Sequence, residues 1–206
     1  QDLACMMTTA LMDRILRTAV IAAKRAGSLL LRNYGKLTGA QIRLKAKNDF
    51  VTDLDKRSEA LILSVVRRTF KDHSVIAEES GASLKSAVTW YIDPLDGTSN
   101  YIHHFPMFSV SIGVSDGKRL VAGTVYDPLH KELFTARSGA GAFLNGRRIR
   151  VSAVRPLSEA LMATGIPFRA RDRFNGYIRS FRDISYASAG MRRGGSAALD
   201  FAYVAC

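Results

Sequence analysis

The spacing of apolar residues changes along the chain, and that change limits the architectures open to it. Within residues 11–34, Ile15, Leu16, Ala19, Val20, Ala23, Leu30 and Leu31 recur at helical spacing with Arg and Lys between them. This predicts a helix with one buried stripe, ended by Gly35. Thr52 or Asp53 is a natural N-cap for a second helix, with acids in its first turn. Leu54, Leu61, Ile62, Val65 and Val66 carry that pattern to about Phe70. Two short apolar runs follow, Ser74-Val75-Ile76-Ala77 and Val88-Thr89-Trp90-Tyr91-Ile92. Each reads as a strand, and each stops on carboxylates, Glu78-Glu79 and Asp93. Residues 108–114, 120–126 and 132–136 read as an antiparallel meander. Asp116-Gly117 and Asn145-Gly146 are hairpin signals, because both pairs tolerate positive φ. After Pro156 the pattern predicts a strand over 161–165, a helix over 172–181 and another helix from Ser196 to Val204. Helices ahead of a meander indicate an α+β layered fold, not a regular βαβ repeat.

Composition narrows the class. Of 206 residues, 47% are hydrophobic and 23% charged, which is the balance of a globular chain. No apolar run reaches the roughly 18–20 residues of a membrane span. Residues 1–9 carry no secretory pattern. Cys5 and Cys206 form no CxxC pair, so free thiols and a reducing, cytoplasmic setting are expected. The formal charge of +12 suits anionic partners such as phosphorylated metabolites, nucleic acid or an acidic protein. Its Arg groups (Arg147, Arg148 and Arg150; Arg169, Arg171 and Arg173; Arg192 and Arg193) are not interleaved with aromatics, so they read as a solvated surface.

The densest chemistry is Ile92-Asp93-Pro94-Leu95-Asp96-Gly97-Thr98. Pro94 stiffens the backbone between two acids. Two carboxylates and the Leu95 carbonyl are the hard oxygen ligands that magnesium prefers. Gly97 allows close backbone approach, and a helix starting at Thr98 would turn N–H groups toward a phosphate. Adjacent pairing of the two strands brings Glu78 or Glu79 beside Asp93, with Asp55 a further acid nearby. Such crowding calls for cations. Taken singly, each piece has a plainer reading: a turn for 93–97, helix capping for Asp53 and Asp55, a solvated strand end for Glu78-Glu79. His103-His104 lacks ligand spacing and reads as rim or surface, and Trp90 as core.

In this order, several segments resemble the inositol monophosphatase family. They are Asp49-Phe50-Val51-Thr52-Asp53-Leu54-Asp55, Ala77-Glu78-Glu79-Ser80 and Trp90 through Tyr101. Val125-Tyr126-Asp127-Pro128, Gly139-Ala140-Gly141-Ala142 and Gly194 through Asp200 continue the likeness. The resemblance implies a layered α-β-α-β-α sandwich of the inositol monophosphatase and fructose-1,6-bisphosphatase type. It divides the chain into an N-terminal half with the metal and phosphate site (1–152) and the beginning of a C-terminal half (153–206). It implies Mg2+-dependent, lithium-sensitive hydrolysis of a phosphate monoester, with two or three ions per site and no covalent intermediate. Glu78, Asp93 and the Leu95 carbonyl are then the first metal's ligands, and Asp93 and Asp96 the second's. Asp96, Gly97 and Thr98 hold the substrate's phosphate end. Gly195, Ser196 and Ala197 approach its ring hydroxyls. Asp55 with Thr98, or Glu78, orients the attacking water. A homodimer, a small phosphorylated metabolite as substrate, no membrane partner, and in some bacterial relatives an RNA or RNA polymerase complex are the expected partners.

The family's second metal takes a further ligand from a Trp-Asp motif beyond the segment matching Gly195 to Leu199. Here the sole tryptophan is Trp90 and the chain ends at Cys206. The final part of the fold and that ligand are therefore expected to be missing, with weak activity as the consequence. Inositol 1-phosphate heads the possible substrates. Fructose 1,6-bisphosphate, 3′-phosphoadenosine 5′-phosphate and histidinol phosphate stay open beside it. A haloacid-dehalogenase phosphatase also groups Asp, Asp, Gly and Thr, but sets its acids two apart. Here they are three apart with proline between.

Overall fold

In the computed structural model, which describes residues 7–39, 42–46, 49–167 and 170–206, the first helical pattern becomes α1 (Thr9–Asn33). The side chains of 44–46, 49, 50 and 171 are outside the described set. So are Cys5 and Arg169. Thr8 caps α1 by accepting from the Leu11 N–H at 3.3 Å. Its buried stripe is Met12, Ile15, Ala19, Ala22, Ala23, Ala26 and Leu30. The small residues let the helix lie close to the sheet. A Cβ on Gly27 would stand only 2.6 Å from the Tyr126 ring. Gly35, at φ 75°, turns the chain away after the helix.

An antiparallel pair the sequence did not announce follows, β1 (Ile42–Ala46) and β2 (Asp49–Thr52). Helix α2 (Asp53–Thr69) starts at a capping box. Thr52 Oγ accepts from Leu54 N–H at 3.1 Å, and the Asp55 carboxylate takes the Thr52 N–H at 2.7 Å. Next come β3 (Ser74–Ala77), β4 (Gly81–Ser83), β5 (Thr89–Asp96), the short α3 (Thr98–Ile102) and β6 (Ser109–Ser115). The meander continues as β7 (Leu120–Asp127), β8 (Glu132–Arg137), β9 (Gly141–Leu144) and β10 (Arg147–Arg148). Asn145 and Gly146 both have positive φ in the last hairpin turn, as that dipeptide predicts.

These eight strands form one mixed sheet in the order β10-β9-β8-β7-β6-β5-β3-β4, parallel only between β3 and β5. In β6, Val110, Ile112 and Val114 point into the core shared with α1 and α2, so Ser109 and Ser111 face the other side.

The remaining elements are β11 (Leu161–Ala163), α4 (Phe174–Ala187), β12 (Gly190–Arg192) and α5 (Ala197–Val204). β11 and β12 pair in parallel. The predicted strand over 161–165 stops at Ala163. The predicted helix over 172–181 opens as a 3₁₀ turn and runs on to Ala187, because Ile184 continues the stripe of Phe174, Tyr177 and Phe181. Helix α5 covers the second face of the sheet, where Leu199 and Ala202 pack with Phe134, Val125 and Leu144. The fold is thus α+β, a central mixed sheet with helices on both faces. Among the described residues no helix is long and apolar enough to cross a membrane.

Two bonds tie this frame together. The buried Tyr101 on α3 donates its hydroxyl to the Leu30 carbonyl at 2.7 Å, binding the segment after β5 to α1. Tyr101→Phe should cost about 1 kcal/mol, the net worth of such a bond, with an unchanged denaturant slope. Urea unfolding measures it.

Trp90, fully buried as expected, donates its indole N–H to His73 Nδ1 at 3.0 Å. Accepting that bond requires a neutral imidazole. Burial lowers the His73 pKa, with nearby Asp72 opposing. An unfolded histidine takes its proton near pH ~6.5, the folded one only at lower pH. This stability is present above pH ~6.5 and is lost as pH falls toward the folded value. The stability advantage of wild type over His73→Gln should therefore shrink as pH falls below about 6.5. A pH-independent difference in chemical denaturation would clear His73 of that role.

Candidate active site at the ends of β3 and β5

Side chains alternate along a strand, so residues three apart normally point to opposite faces. Asp93 and Asp96 do not. Asp93 pairs with Ser111 and Asp96 with Ser109, so three steps along β5 answer two along β6. The extra residue is taken up at Pro94-Leu95 as a β-bulge, one of the few sheet positions that tolerate proline. Both acids therefore share the face of Ser109 and Ser111, away from Trp90 and Ile92. Ser58 donates to the Pro94 carbonyl at 2.9 Å, and the Leu95 N–H donates to Asp93 Oδ1 at 3.1 Å, which hold the bulge in shape.

Glu78 arrives by register. The parallel pairing runs from Ser74 opposite Thr89 to Ala77 opposite Ile92, and the Glu78 N–H continues it to the Ile92 carbonyl at 3.1 Å. Glu78 thus lies next to Asp93, and the two side chains hydrogen-bond. Burial first, then the charges of Glu78 and Asp96, push the Asp93 pKa well above the usual carboxylate range. The next residue's backbone N–H, that of Glu79, donates to the buried Glu59 at 2.7 Å. Sequence reasoning passed over Ser58 and Glu59. Their signal was available: both fall on the buried face of α2 with Leu54 and Ile62.

Thr98 joins the second helix to this strand end. Its hydroxyl lies 3.0 Å from Asp55 Oδ1 and 3.0 Å from the Leu95 carbonyl oxygen. Asp55 is buried, which raises its pKa, while the bonds from Thr52 and Thr98 pull it back. The carboxylate that completes the helix cap is therefore also the one that receives Thr98. Gly97 precedes it at φ 93°, and a Cβ there would stand 3.0 Å from the Met107 carbonyl oxygen and 3.3 Å from that of Gly195. Asn100 locks the same junction by donating to the carbonyls of Met107 at 2.7 Å and Gly194 at 2.9 Å.

Asp96 faces the C-terminal elements. Ser196 Oγ and the Ala198 N–H both donate to its Oδ2, at 2.6 and 2.8 Å. Burial raises its pKa, and the hydrogen bonds from the start of α5 oppose that rise. A cleft of about 580 Å³ opens beside it, lined by Thr164, Arg193, Gly195, Ala197 and Asp200 among others. Ala197 is exposed there, whereas Ser196 is fully buried. His103 and His104 are exposed, in keeping with a surface role.

Among the described residues no three His, Cys, Asp or Glu side chains gather as a ready metal cage. Glu78 and Asp93 meet, while Asp96 is drawn toward α5. The donor chemistry still fits a hard divalent cation: carboxylate oxygens, a Leu95 carbonyl oxygen with two lone pairs, and like charges that repel until neutralised. Among the described residues, no cationic side chain figures in the charges that shift Asp93.

The family model of the inositol monophosphatase family matches residues 11–206. The chain belongs to that family. It is 45% identical over 196 residues to the "Nus factor SuhB" of Escherichia coli strain K12, covering 94% of this chain and 73% of that protein. It is 41% identical over 195 residues to the "Fructose-1,6-bisphosphatase/inositol-1-monophosphatase" of Aquifex aeolicus, covering 94% of this chain and 74% of that one. The structure of the extragenic suppressor protein SuhB from Bartonella henselae superposes with a TM-score of 0.88 at 39% identity, over 93% of this chain and 74% of that one. The fold class expected from the resemblance is the one observed, and the family is one of phosphatases.

Gly97→Ala should lose about 1–2 kcal/mol in urea unfolding, from the left-handed backbone alone. The tight carbonyl contacts add to that. An alanine variant as stable as wild type would mean that the turn relaxes to another conformation.

Proposed function

We propose that this chain hydrolyses a phosphate monoester with Mg2+, inositol 1-phosphate being the first substrate to test. The observation that carries this reading is the bulge at Pro94-Leu95, which sets Asp93 and Asp96 on one face beside Glu78. Glu78, Asp93 and the Leu95 carbonyl would hold a first ion, and Asp93 and Asp96 a second. When bound, Mg2+ supplies positive charge for the phosphate oxygens and a water of lowered pKa.

The protein's own part is positioning. Asp55 accepts the Thr98 proton, so the Thr98 oxygen keeps lone pairs for a water molecule. Asp55 thereby fixes where that water sits. Glu78 is a second acceptor for its proton. Gly97, lacking a side chain, lets the phosphate approach the Gly97-Thr98 backbone. Gly195 and Ala197, on the cleft wall, meet the rest of the substrate. Ser196 acts from behind that wall. A homodimer in the cytoplasm is the setting this reading assumes.

Asp93→Asn should lower kcat by at least about a hundredfold. The assay is Mg2+-dependent phosphate release from inositol 1-phosphate, with fructose 1,6-bisphosphate, 3′-phosphoadenosine 5′-phosphate and histidinol phosphate as a panel. Wild-type turnover in the variant at saturating Mg2+ would sink the assignment.

A second reading rests on the +12 charge and on the "Nus factor" names of the SuhB relatives. It is association with RNA or an RNA polymerase complex. Binding that weakens steeply with salt and survives Asp93→Asn supports it.

A further inference from the structure

We propose that Ser196 is a positioning residue that sets which oxygen of Asp96 is presented to the cleft. The inference rests on the cation-dependent reading above. A carboxylate on a short side chain turns broadly about its last torsion unless a neighbour holds it. Asp96 is held from one side. The Ser196 hydroxyl and the Ala198 N–H both end on Oδ2, and the 2.6 Å Ser196 bond is short, as charge-assisted bonds are. Oδ2 is thus the oxygen these two bonds commit, and Asp96, which also accepts from the Ala197 N–H, lines the cleft.

The hydroxyl is itself fully specified. Serine has one proton to give and two lone pairs. With the proton on Asp96, the Leu199 N–H at 3.4 Å occupies one lone pair. Ser109 Oγ at 3.3 Å must then be the donor to the other. Ser196 and Ser109 are both fully buried, so water does not compete for these bonds. Ser109 is also the residue opposite Asp96 in the sheet register. The bulge that turns Asp96 to this face thus delivers it to a serine pair spanning β6 and the cap of α5. A residue that only capped α5 would need none of this. The cap bond to Leu199 is the longest of the set, and the short bond goes to Asp96.

The test uses Mn2+ alone as probe, with the full chain, and follows free Mn2+ by electron paramagnetic resonance. Asp96→Asn defines the binding phase to which Asp96 contributes. Ser196→Ala should weaken that same phase about three- to tenfold, at the low end of what lost supporting partners cost a metal site. Ser196→Thr keeps the hydroxyl and should bind within about twofold of wild type. If Ser196→Ala melts earlier but binds Mn2+ as wild type does, Ser196 is only a helix cap and the inference is overturned. A loss in Ser196→Thr equal to that in Ser196→Ala overturns it too, as does an Asp96→Asn variant with no altered phase. Should Ser196→Ala fail to fold, Ser109→Ala leaves both the cap and the Asp96 bond in place. It should weaken the phase about twofold, and unchanged binding overturns the proposal. A wild-type chain that binds no Mn2+ overturns the cation reading itself, which separates that failure from this one.

Discussion

One inserted residue in β5 decides the geometry of the site. A strand of regular pleat would bury one of Asp93 and Asp96 in the apolar core, where an uncompensated carboxylate is very costly. The bulge turns both outward onto the serine face of β6. Pro94 suits that position because it needs no partner for an N–H it does not have. The rest of the site depends on this step. Leu95 returns its side chain to the core and keeps its carbonyl at the strand end. Gly97 can then reverse the chain under two carbonyls. Glu78 meets Asp93 because β3 runs parallel to β5.

The electrostatic consequence follows from the packing. Glu78 and Asp93 meet, with Asp96 on the same face, in a protein of net charge +12. Desolvation and mutual repulsion raise the pKa of both Asp93 and Asp96. That crowding has a cost unless a positive charge arrives, so the arrangement is more easily understood as a binding site than as scaffold. Asp55 shows the complementary economy. It closes the first turn of α2 and receives Thr98, so a helix cap and a candidate site residue are the same group.

The second half of the chain enters through backbone and hydroxyl contacts more than through apolar burial. Asn100 holds Gly194, and Ser196 with Ala198 holds Asp96, across about a hundred residues of sequence. Helix α4, by contrast, buries none of its described residues. The site's wall is therefore fastened at the start of α5, where the polar contacts concentrate.

Much of this was legible in the sequence. Helical spacing determined α1 and α2, the alternation of β6 determined its two faces, and Asn145-Gly146 determined the last hairpin. The acids at the ends of β3 and β5 were visible too, as was a Thr52 or Asp53 cap. These are local properties, set by the period of the backbone and by the φ that particular residues accept. The pairing of Thr98 with Asp55 came from the family resemblance, not from spacing. Tertiary structure alone decided which way Asp96 points. Its direction depends on the register of β5 against β6 and on a serine a hundred positions later. The same holds for Ser58 and Glu59, polar residues on a buried helical face whose partners, Pro94 and Glu79, lie on other elements. Periodicity reports that a side chain is buried, but a hydrogen bond between distant segments has no period, so only the folded chain reveals it.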